Sequence, residues 1–304
     1  MSWSLYRWVW KLEAPLSIGL PPSGSLSRCR LYVPARNLWG ALTADLAQRQ
    51  ATGFPAYTEV GEDVRKALRL TYLFPAEDTD RGWRAWLPRY ESGKGLVWQR
   101  EDDANGNSSA SDRELRSRLL LARPGTAIDH TSDTAAEGTL RETECISQHR
   151  RDRATGEAKS VALVGYVFVR EDTGLDGALK TIGVLFLGGD TRYGLGRVQR
   201  VAWDAASAVF GSSVELQGHD PCVTTERVLA HASVPDGRAT LRGDLEVLAW
   251  WDYGQLRAFP EVPVCWRPGS VTAESPRRWR IEDSGLWAAD SPVGPGDTDK
   301  GVGR

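Results

Sequence analysis

The sequence predicts an α+β protein on three observations. Strand and helix patterns alternate over about the first 200 residues, short strand patterns dominate the rest, and 41% of all residues are hydrophobic, as in globular proteins. The length of 304 residues fits one large or two modest domains, since a single core rarely grows beyond roughly 250–300 residues.

The N-terminal segment predicts a strand, a loop, a helix and a second strand. Tyr6, Trp8, Trp10 and Leu12 recur at every second position, which is the period of a strand. A loop rich in Gly, Pro and Ser follows. Apolar residues then recur at i, i+3, i+4 and i+8 from Leu38, which predicts a helix over residues 36–50, entered after Pro34. The apolar run at residues 68–74 predicts the second strand.

Residues 76–160 are polar, charged and rich in turn residues, and we expect a partly mobile insertion there. Within this insertion, two strand-like runs at residues 119–130 and 138–146 predict an extended hairpin.

A strand, a helix and a final strand follow the insertion. Residues 161–170 are apolar on both alternations and predict a strand covered on both faces. Residues 175–186 place apolar side chains at i, i+3, i+4, i+7 and i+11, which predicts an amphipathic helix, and residues 197–203 predict a strand. The resulting order is the βαββαβ plan of a ferredoxin-like (RRM-like) sheet.

We therefore expect a ferredoxin-like domain over residues 1–203, with the insertion at about 76–160. Residues 204–288 carry mostly short strand patterns, which fit either a smaller β-rich domain or a degenerate second ferredoxin-like copy. Residues 289–304 are rich in Gly, Pro and Asp without apolar periodicity, and predict a disordered tail.

Composition narrows the function classes. A formal net charge of −2 argues against a free nucleic-acid binder, so any RNA contact must come from a local patch. The four cysteines have no C-x-x-C spacing and no nearby histidine at zinc spacing, so neither a disulfide framework nor a metal site is expected, and no cofactor is expected either.

No apolar run reaches the ~20 residues of a membrane span, and Arg7 and Lys11 interrupt the first apolar stretch, so we expect a soluble, cytoplasmic protein. Core packing is the expected role of most of the thirteen tryptophans.

The segment from Gly188 to Arg197 is the most informative one. Four glycines within nine positions, between a predicted helix and a strand, permit a tight loop whose backbone N–H groups can approach an anionic backbone. Arg192 and Arg197 add charge, and Tyr193 adds a stacking face. A nucleotide-binding P-loop runs from strand to helix and ends in Gly-Lys-Ser/Thr, so this segment is not one. A turn that merely caps the helix is the alternative.

In order and character, these segments resemble the RAMP superfamily, the RNA-binding subunits of CRISPR effector complexes. The resemblance rests on residues 13–42 (EAPLSIGLPPSG…LYVPARNLWGAL), on the glycine-rich loop, and on RPGTAIDHTSDTAAEGTLRETECI, which is similar to the inserted thumb-like region of type III members. LRGDLEVLAWW…VPVCWRPGSV, with Trp266, Pro268, Gly269 and Ser270, resembles the C-terminal part of the five-prime-handle-capping group. Together these segments cover nearly the whole chain.

The resemblance implies a subunit that binds guide RNA, meets target RNA and contacts other effector subunits. The residues expected to contact RNA come from the loop, the first helix and the thumb: Gly188, Gly189, Arg192, Tyr193, Gly194, Gly196, Arg197, Arg36, Asn37, His130 and Arg141. Further arginines in the insertion either track phosphates or belong to a salt-bridged surface, since acidic residues are interleaved with them.

No catalytic residue is expected. Backbone members of type III complexes cut target RNA with an Asp after the first strand, and residues 13–37 contain no Asp. Guide-processing members tend to keep a histidine in that loop or on the first helix, where this chain has none; His130 lies elsewhere. A target-cleaving backbone subunit, a guide-processing endoribonuclease and a protein scaffold without RNA contact remain the alternatives.

Overall fold

The computed structural model describes residues 1–103, 108–152, 155–233, 241–248, 251–252, 257–258, 264–272 and 276–290. Over residues 1–205 the elements are β1 (Trp3–Leu12), β2 (Leu26–Ser27), α1 (Ala35–Gln50), α2 (Tyr57–Ala67), β3 (Leu68–Leu70), β4 (Phe74–Thr79), β5 (Gly82–Glu91), β6 (Gly95–Arg100), β7 (Ser109–Ser111), α3 (Asp112–Leu119), β8 (Leu120–Gly125), β9 (Ile128–Asp129), β10 (Thr134–Ala135), β11 (Arg141–Ile146), β12 (His149–Arg151), β13 (Ala158–Arg170), α4 (Leu175–Thr181), β14 (Val184–Phe186) and β15 (Arg197–Ala205).

The later elements are strands: β16 (Ala208–Val209), β17 (Ser212–Glu215), β18 (Cys222–Thr225), β19 (Ala232–Ser233), β20 (Leu241–Arg242), β21 (Leu245–Val247), β22 (Trp251–Asp252), β23 (Arg257–Ala258), β24 (Val264–Trp266), β25 (Val271–Thr272), β26 (Arg277–Ile281) and β27 (Trp287–Ala289). The α+β prediction is confirmed. The predicted disordered tail lies, from residue 291 on, outside the described residues.

The first sheet has the strand order β14-β15-β1-β13-β4-β5-β6-β7, with β3 and β12 also paired to β13. β1 is antiparallel to both β13 and β15, and β13 is antiparallel to β4. Residues 161–169 of β13 are buried, which confirms the predicted central strand. The two central strands therefore carry much of the core.

Most tryptophans pack in this core or against it. Those that are buried are Trp3, Trp8, Trp10, Trp86, Trp98, Trp279 and Trp287. Burial of large aromatic rings is a strong stabilising term, of roughly 1.5–3 kcal/mol per large side chain, so the predicted packing role is confirmed for these residues.

Helix α1 begins after Pro34, as predicted, and buries Leu38, Leu42 and Leu46. It packs against β14 and β3. Helix α2 was not predicted, although Val60, Val64 and Ala67 face the interior at helical spacing.

The predicted strand at residues 68–74 is wrong in its middle. β3 and β4 are separate, because Val167 pairs with Leu70 whereas Val164 pairs with Phe74, so one extra residue bulges out. The Thr71 hydroxyl fills the gap in the ladder by accepting from the Tyr166 N–H at 2.8 Å.

The predicted helix over residues 175–186 is also wrong beyond Thr181. Residues 184–186 form β14, which pairs with β15 from Val184–Gln199 to Phe186–Arg197. Apolar residues at 182, 185 and 186 satisfy helical spacing by coincidence. Their burial follows the strand period instead, since Leu185 is buried and Phe186 is exposed.

The described residues of the insertion form several strands and one helix, α3. β5, β6 and β7 extend the first sheet. The expected hairpin is present: β8 and β11 pair from Leu120–Ile146 to Gly125–Arg141, and β9 and β10 continue it toward the turn at His130.

The second sheet has the order β16-β17-β18-β26-β27-β19-β24-β21 and contacts the first. The Tyr90 N–H of β5 donates to the Gly269 carbonyl at 2.8 Å. A Cβ at Gly269 would lie 2.9 Å from Pro88 Cβ, so this approach requires glycine. Among the residues described, no helix is long and apolar enough to cross a membrane.

Candidate functional site

The glycine-rich loop connects two strands, β14 and β15, and does not leave a helix as the sequence predicts. Within it, Asp190 and Gly194 have left-handed backbone conformations that enclose a short 3-10 turn, Thr191–Tyr193. Each strand end is also tied to the loop after β1: Gly189 N–H donates to Ser17 O at 2.9 Å, and Gly196 N–H donates to Pro15 O at 2.8 Å. The loop is therefore a braced hairpin turn.

Most backbone donors of this loop serve the protein itself. The N–H groups of Tyr193, Gly194 and Leu195 donate to carbonyls of Asp190 and Thr191. Together with the bonds of Gly189 and Gly196, these contacts leave few loop N–H groups to bind an anion. The contribution of the loop to binding must then come mainly from its side chains.

Two of the glycines are required by close backbone packing. A Cβ at Gly188 would lie 2.2 Å from Ser17 O, and a Cβ at Gly196 would lie 2.0 Å from Leu187 O. Both residues have φ near +80°, at +77° and +81°. By contrast, a Cβ added at Gly189 or Gly194 would meet no atom within 4 Å, so those two present bare backbone to the outside.

The structure brings the loop and the hairpin together through Tyr193 and Arg141. The Arg141 guanidinium carbon lies 4.8 Å from the Tyr193 ring centroid, which is cation–π geometry. Tyr193 remains 65% exposed, so its other surface is available to a ligand. These two predicted site residues therefore belong to one surface.

Four other predicted site residues line one groove of about 1300 Å³: Arg36, Asn37, Gly188 and Arg192. α1 forms one wall and β14 with the loop forms another. A turn of the C-terminal half, at residues 283–285, forms the third. A Cβ at Gly285 would lie 2.4 Å from Ala35 Cβ, so glycine permits this turn to touch the start of α1.

Arginines dominate the charge of the groove. Arg36, Arg49, Arg65 and Arg192 line it, against Asp45 and Asp283. The Arg49 Nε donates to Asp45 Oδ2 at 2.6 Å, which neutralises that pair. Among the described residues Arg192 has no ion-pair partner, and it is exposed. The groove is therefore a local basic patch on a chain whose net charge is −2.

Sequence reasoning missed several residues of this groove. Trp39 and Arg65 line it, with the Arg65 guanidinium 5.0 Å from the Trp39 ring centroid. Phe186 also lines it and is 54% exposed. Helical spacing of apolar residues would have revealed α2 and hence Arg65. No local signal places residues 283–285 beside Ala35.

The remaining predicted site residues lie outside the groove. Arg197 is paired with Glu13, with Nε to Oε2 at 2.6 Å. His130 is exposed in the turn at the far end of the hairpin, between β9 and β10. The structure therefore does not bring His130 together with the groove-lining set.

Arginines of the insertion form structural ion pairs. Arg116 pairs with Glu144 at 2.8 Å, and Glu77 accepts from both Arg118 at 2.6 Å and Arg150 at 3.2 Å. Of the two alternatives for these three arginines, the salt-bridged one is observed.

A second polar cluster is buried between the two halves of the chain. The Tyr72 hydroxyl lies 2.7 Å from His231 Nδ1, and His231 Nε2 lies 3.2 Å from Glu246 Oε2. Arg30 pairs with Glu246, and Arg267 Nε lies 3.4 Å from it. Burial lowers the pKa of His231. Burial would raise the pKa of Glu246, but the His231 hydrogen bond and the two arginines lower it to about 2.

The described cysteines and acidic residues show no metal-binding arrangement. Within the described part of the chain, no three His, Cys, Asp or Glu side chains are grouped to hold a metal ion. All four cysteines are buried and none of them forms a disulfide, and burial raises the pKa of Cys29 to about 12.

No family model matches the sequence, and no curated protein matches it. Solved structures do match. A chain in the cryo-EM structure of the type III-B Cmr-beta complex bound to cognate target RNA and AMPPnP, state 1, aligns with a TM-score of 0.54 at 11% identity, covering 88% of this chain and 85% of that one. A chain of the same complex bound to cognate target RNA aligns with a TM-score of 0.54 at 12% identity, covering 88% and 86%. The resemblance to subunits of type III CRISPR complexes is therefore confirmed at the level of the fold.

Proposed function

We propose that this chain is a non-catalytic RNA-binding subunit of a type III-like CRISPR effector complex in the cytoplasm. In this proposal it binds the five-prime handle of the guide RNA, meets the target RNA and anchors neighbouring subunits. The observation that carries the proposal is the fold, which matches chains of Cmr-beta complexes bound to target RNA over 88% of this chain.

We further propose that residues 1–203 form a ferredoxin-like domain and residues 204–288 a β-rich one. The strand order supports the first part. β13 lies between β1 and β4 and is antiparallel to both, so β1 and β4 are parallel strands joined through α1 and α2. β1 in turn lies between β13 and β15, which are joined through α4. Two such interleaved βαβ units make up the ferredoxin-like plan.

The groove between α1, β14 and the loop is the proposed RNA site. Arg36, Asn37 and Arg192 line it together. Guanidinium groups suit phosphate oxygens because they donate in a fixed fork, and an amide can reach sugar or base edges. The groove supplies the local positive charge that an acidic chain needs in order to hold RNA.

The proposal that this chain does not cleave RNA rests on the segment after the first strand. Residues 13–37 contain no Asp, and the only carboxylate there, Glu13, is held by Arg197 at 2.6 Å. A carboxylate paired in this way is poorly placed to act on a scissile phosphate. This supports the capping role over the target-cleaving backbone role.

The test is guide retention in the assembled complex. Arg36→Ala with Arg192→Ala should weaken guide RNA binding by roughly 1–3 kcal/mol per lost charge-assisted contact and lower the salt slope. Arg277→Ala is the matched control, since Arg277 is exposed on β26 outside the groove. Equal guide retention by complexes that contain the wild-type chain, the double variant or Arg277→Ala would contradict the groove as the RNA site. A wild-type complex that assembles without guide RNA would contradict the function.

A further inference from the structure

Phe186 is an exposed aromatic residue in a basic groove. It is the last residue of β14, is 54% exposed, and lines the groove together with Val184 of the same strand face. Its sequence neighbours Leu185 and Leu187 are buried. A Phe side chain left half in solvent at the end of a strand loses hydrophobic stabilisation, so a ligand that covers it would recover that energy.

The surroundings of Phe186 select the ligand class. Arg36, Arg65 and Arg192 line the same groove against a single further carboxylate of the lining, Asp283, and the Arg49–Asp45 pair contributes no net charge. An apolar protein segment bound there would desolvate the exposed Arg192 guanidinium, which has no ion-pair partner among the described residues, without neutralising it, and this is costly. A polyanion that also carries flat apolar surfaces satisfies both the arginines and the ring.

The size of the groove also favours a polymer. Its volume of about 1300 Å³ exceeds the roughly 300–1,000 Å³ of small-molecule pockets. Single-stranded nucleic acids are bound by positively charged grooves with aromatic side chains on which bases stack. In a duplex, the base faces are covered by neighbouring base pairs and cannot stack on a protein ring.

We propose that a nucleobase of a single-stranded RNA segment stacks on Phe186 while adjacent phosphates contact Arg36 and Arg192. This inference rests on the proposed function and adds the binding mode: the groove takes unpaired RNA, with Phe186 as a stacking platform. The Arg65–Trp39 pair lies in the same groove and extends the basic, aromatic surface beside that platform.

The test compares Phe186→Leu with Phe186→Trp and with the control Phe54→Leu. Phe54 is 92% exposed and is not among the groove-lining residues, so it matches the residue type and the substitution but not the place. The probe is a fluorescein-labelled single-stranded RNA of guide sequence, titrated against the full-length chain at low ionic strength and followed by anisotropy. Thermal melting of each variant checks the fold.

We expect Phe186→Leu to weaken binding at least about five-fold, because base–aromatic stacking contributes roughly 1–3 kcal/mol per base. The slope of log K against log salt should stay unchanged, since no charge is removed. Phe186→Trp should bind as tightly as wild type, and Phe54→Leu should bind within two-fold of it. Annealing the RNA to its complement should weaken binding to wild type.

Several outcomes would overturn the inference, and they are distinguishable from failure of the proposed function. If Phe186→Leu binds RNA with wild-type affinity while Arg192→Ala binds more weakly, Phe186 is not a stacking platform, but the groove is still the RNA site. If Phe54→Leu loses as much RNA affinity as Phe186→Leu, the assignment of the groove as the RNA site is wrong. Lost complex assembly with unchanged RNA affinity in Phe186→Leu makes the groove a protein-docking surface. Absence of RNA binding by wild type, alone and in the complex, removes the function itself.

Discussion

Arg141 lies over the ring of Tyr193, with its guanidinium carbon 4.8 Å from the ring centroid. The two residues are 52 positions apart in sequence, counting from 141 to 193. Arg141 begins β11 at the outer part of the hairpin, and Tyr193 ends the 3-10 turn of the glycine-rich loop. This contact joins the two segments that the sequence singled out for RNA binding, and it leaves most of the Tyr193 ring exposed.

The contact should restrain the loop. A cation–π contact at an exposed site is worth roughly 0.5–1 kcal/mol, so Tyr193→Leu should speed amide hydrogen exchange of residues 188–196 by about two- to five-fold. Tyr193→Phe keeps the ring and should exchange like wild type. Exchange rates that are equal in all three proteins would show that the glycine-loop hydrogen bonds alone hold the segment.

Three of the loop glycines should respond differently to alanine. At Gly196 the added Cβ meets Leu187 O at 2.0 Å and φ is +81°, so Gly196→Ala should lower the free energy of unfolding by more than ~2 kcal/mol. Gly194 has open space but φ of +82°, which costs ~1 kcal/mol. Gly189→Ala should change stability by less than ~0.5 kcal/mol.

Urea unfolding of the three glycine variants measures this order. If Gly196→Ala were as stable as Gly189→Ala, the close packing of the loop against Leu187 would be wrong. If Gly189→Ala instead reduced RNA affinity without loss of stability, bare backbone at that position would be implicated in binding.

Short-range periodicity predicted the elements that frame the groove. Alternation indicated β1, a continuous apolar run indicated β13, and the spacing from Leu38 revealed α1, because each signal lies within one element. The same spacing rule failed at Phe186, where apolar residues fit a helix although the segment pairs with β15. Pairing partners decide between helix and strand there, and they lie outside the local window.

The walls of the groove depend on contacts that no local pattern encodes. Gly285 touches Ala35 although 250 residues separate them in sequence, counting from 35 to 285. Sequence chemistry selected Arg36 and Arg192, and the fold makes them neighbours in one groove. Phe186 was missed as an exposed groove residue because its placement required the fold. Arg65 was missed because α2 was not predicted, although the spacing of its apolar residues is helical.

Acid should destabilise the protein through His231. Its ring is buried, with Nδ1 2.7 Å from the Tyr72 hydroxyl and Nε2 3.2 Å from Glu246 Oε2. In the neutral tautomer with the proton on Nε2, that N–H donates to the carboxylate and Nδ1 accepts from the hydroxyl. Burial lowers the pKa of His231 below the ordinary 6.5. As pH falls below about 6.5, the histidine therefore becomes protonated in the unfolded chain before it does so in the folded chain. Stability therefore falls with pH in that range.

Glu246 extends this loss to lower pH. Its folded pKa of about 2 lies below its ordinary 4.5, so its stabilisation is present above 4.5 and is lost as pH falls toward 2. Urea midpoints should therefore be lower at pH 5.5 than at pH 7.5, and His231→Gln should flatten that difference. His149→Gln is the control at an exposed position; an equal flattening there would remove His231 as the cause.

The isolated chain should bind RNA only weakly. A net charge of −2 supplies little long-range attraction, and one arginine-lined groove makes few phosphate contacts. Filter binding with random-sequence RNA at physiological salt should give micromolar or weaker affinity, and the assembled complex should bind its guide much more tightly. Nanomolar binding by the chain alone would contradict this and would point to a larger basic surface.

His130→Ala should leave target-RNA cleavage by the assembled complex unchanged. A general acid or base must be held within hydrogen-bond reach of the reacting proton, and its ring is usually oriented by a partner. His130 is exposed in the hairpin turn, and among the described residues its ring has no hydrogen-bond partner. The loop after β1 offers no substitute, since Glu13 there is paired with Arg197.

The measurement is the single-turnover cleavage rate of complexes matched for guide occupancy, containing wild-type chain or His130→Ala. Rates that agree within two-fold support a non-catalytic subunit, whereas loss of cleavage at equal occupancy would make His130 catalytic and this chain a ribonuclease.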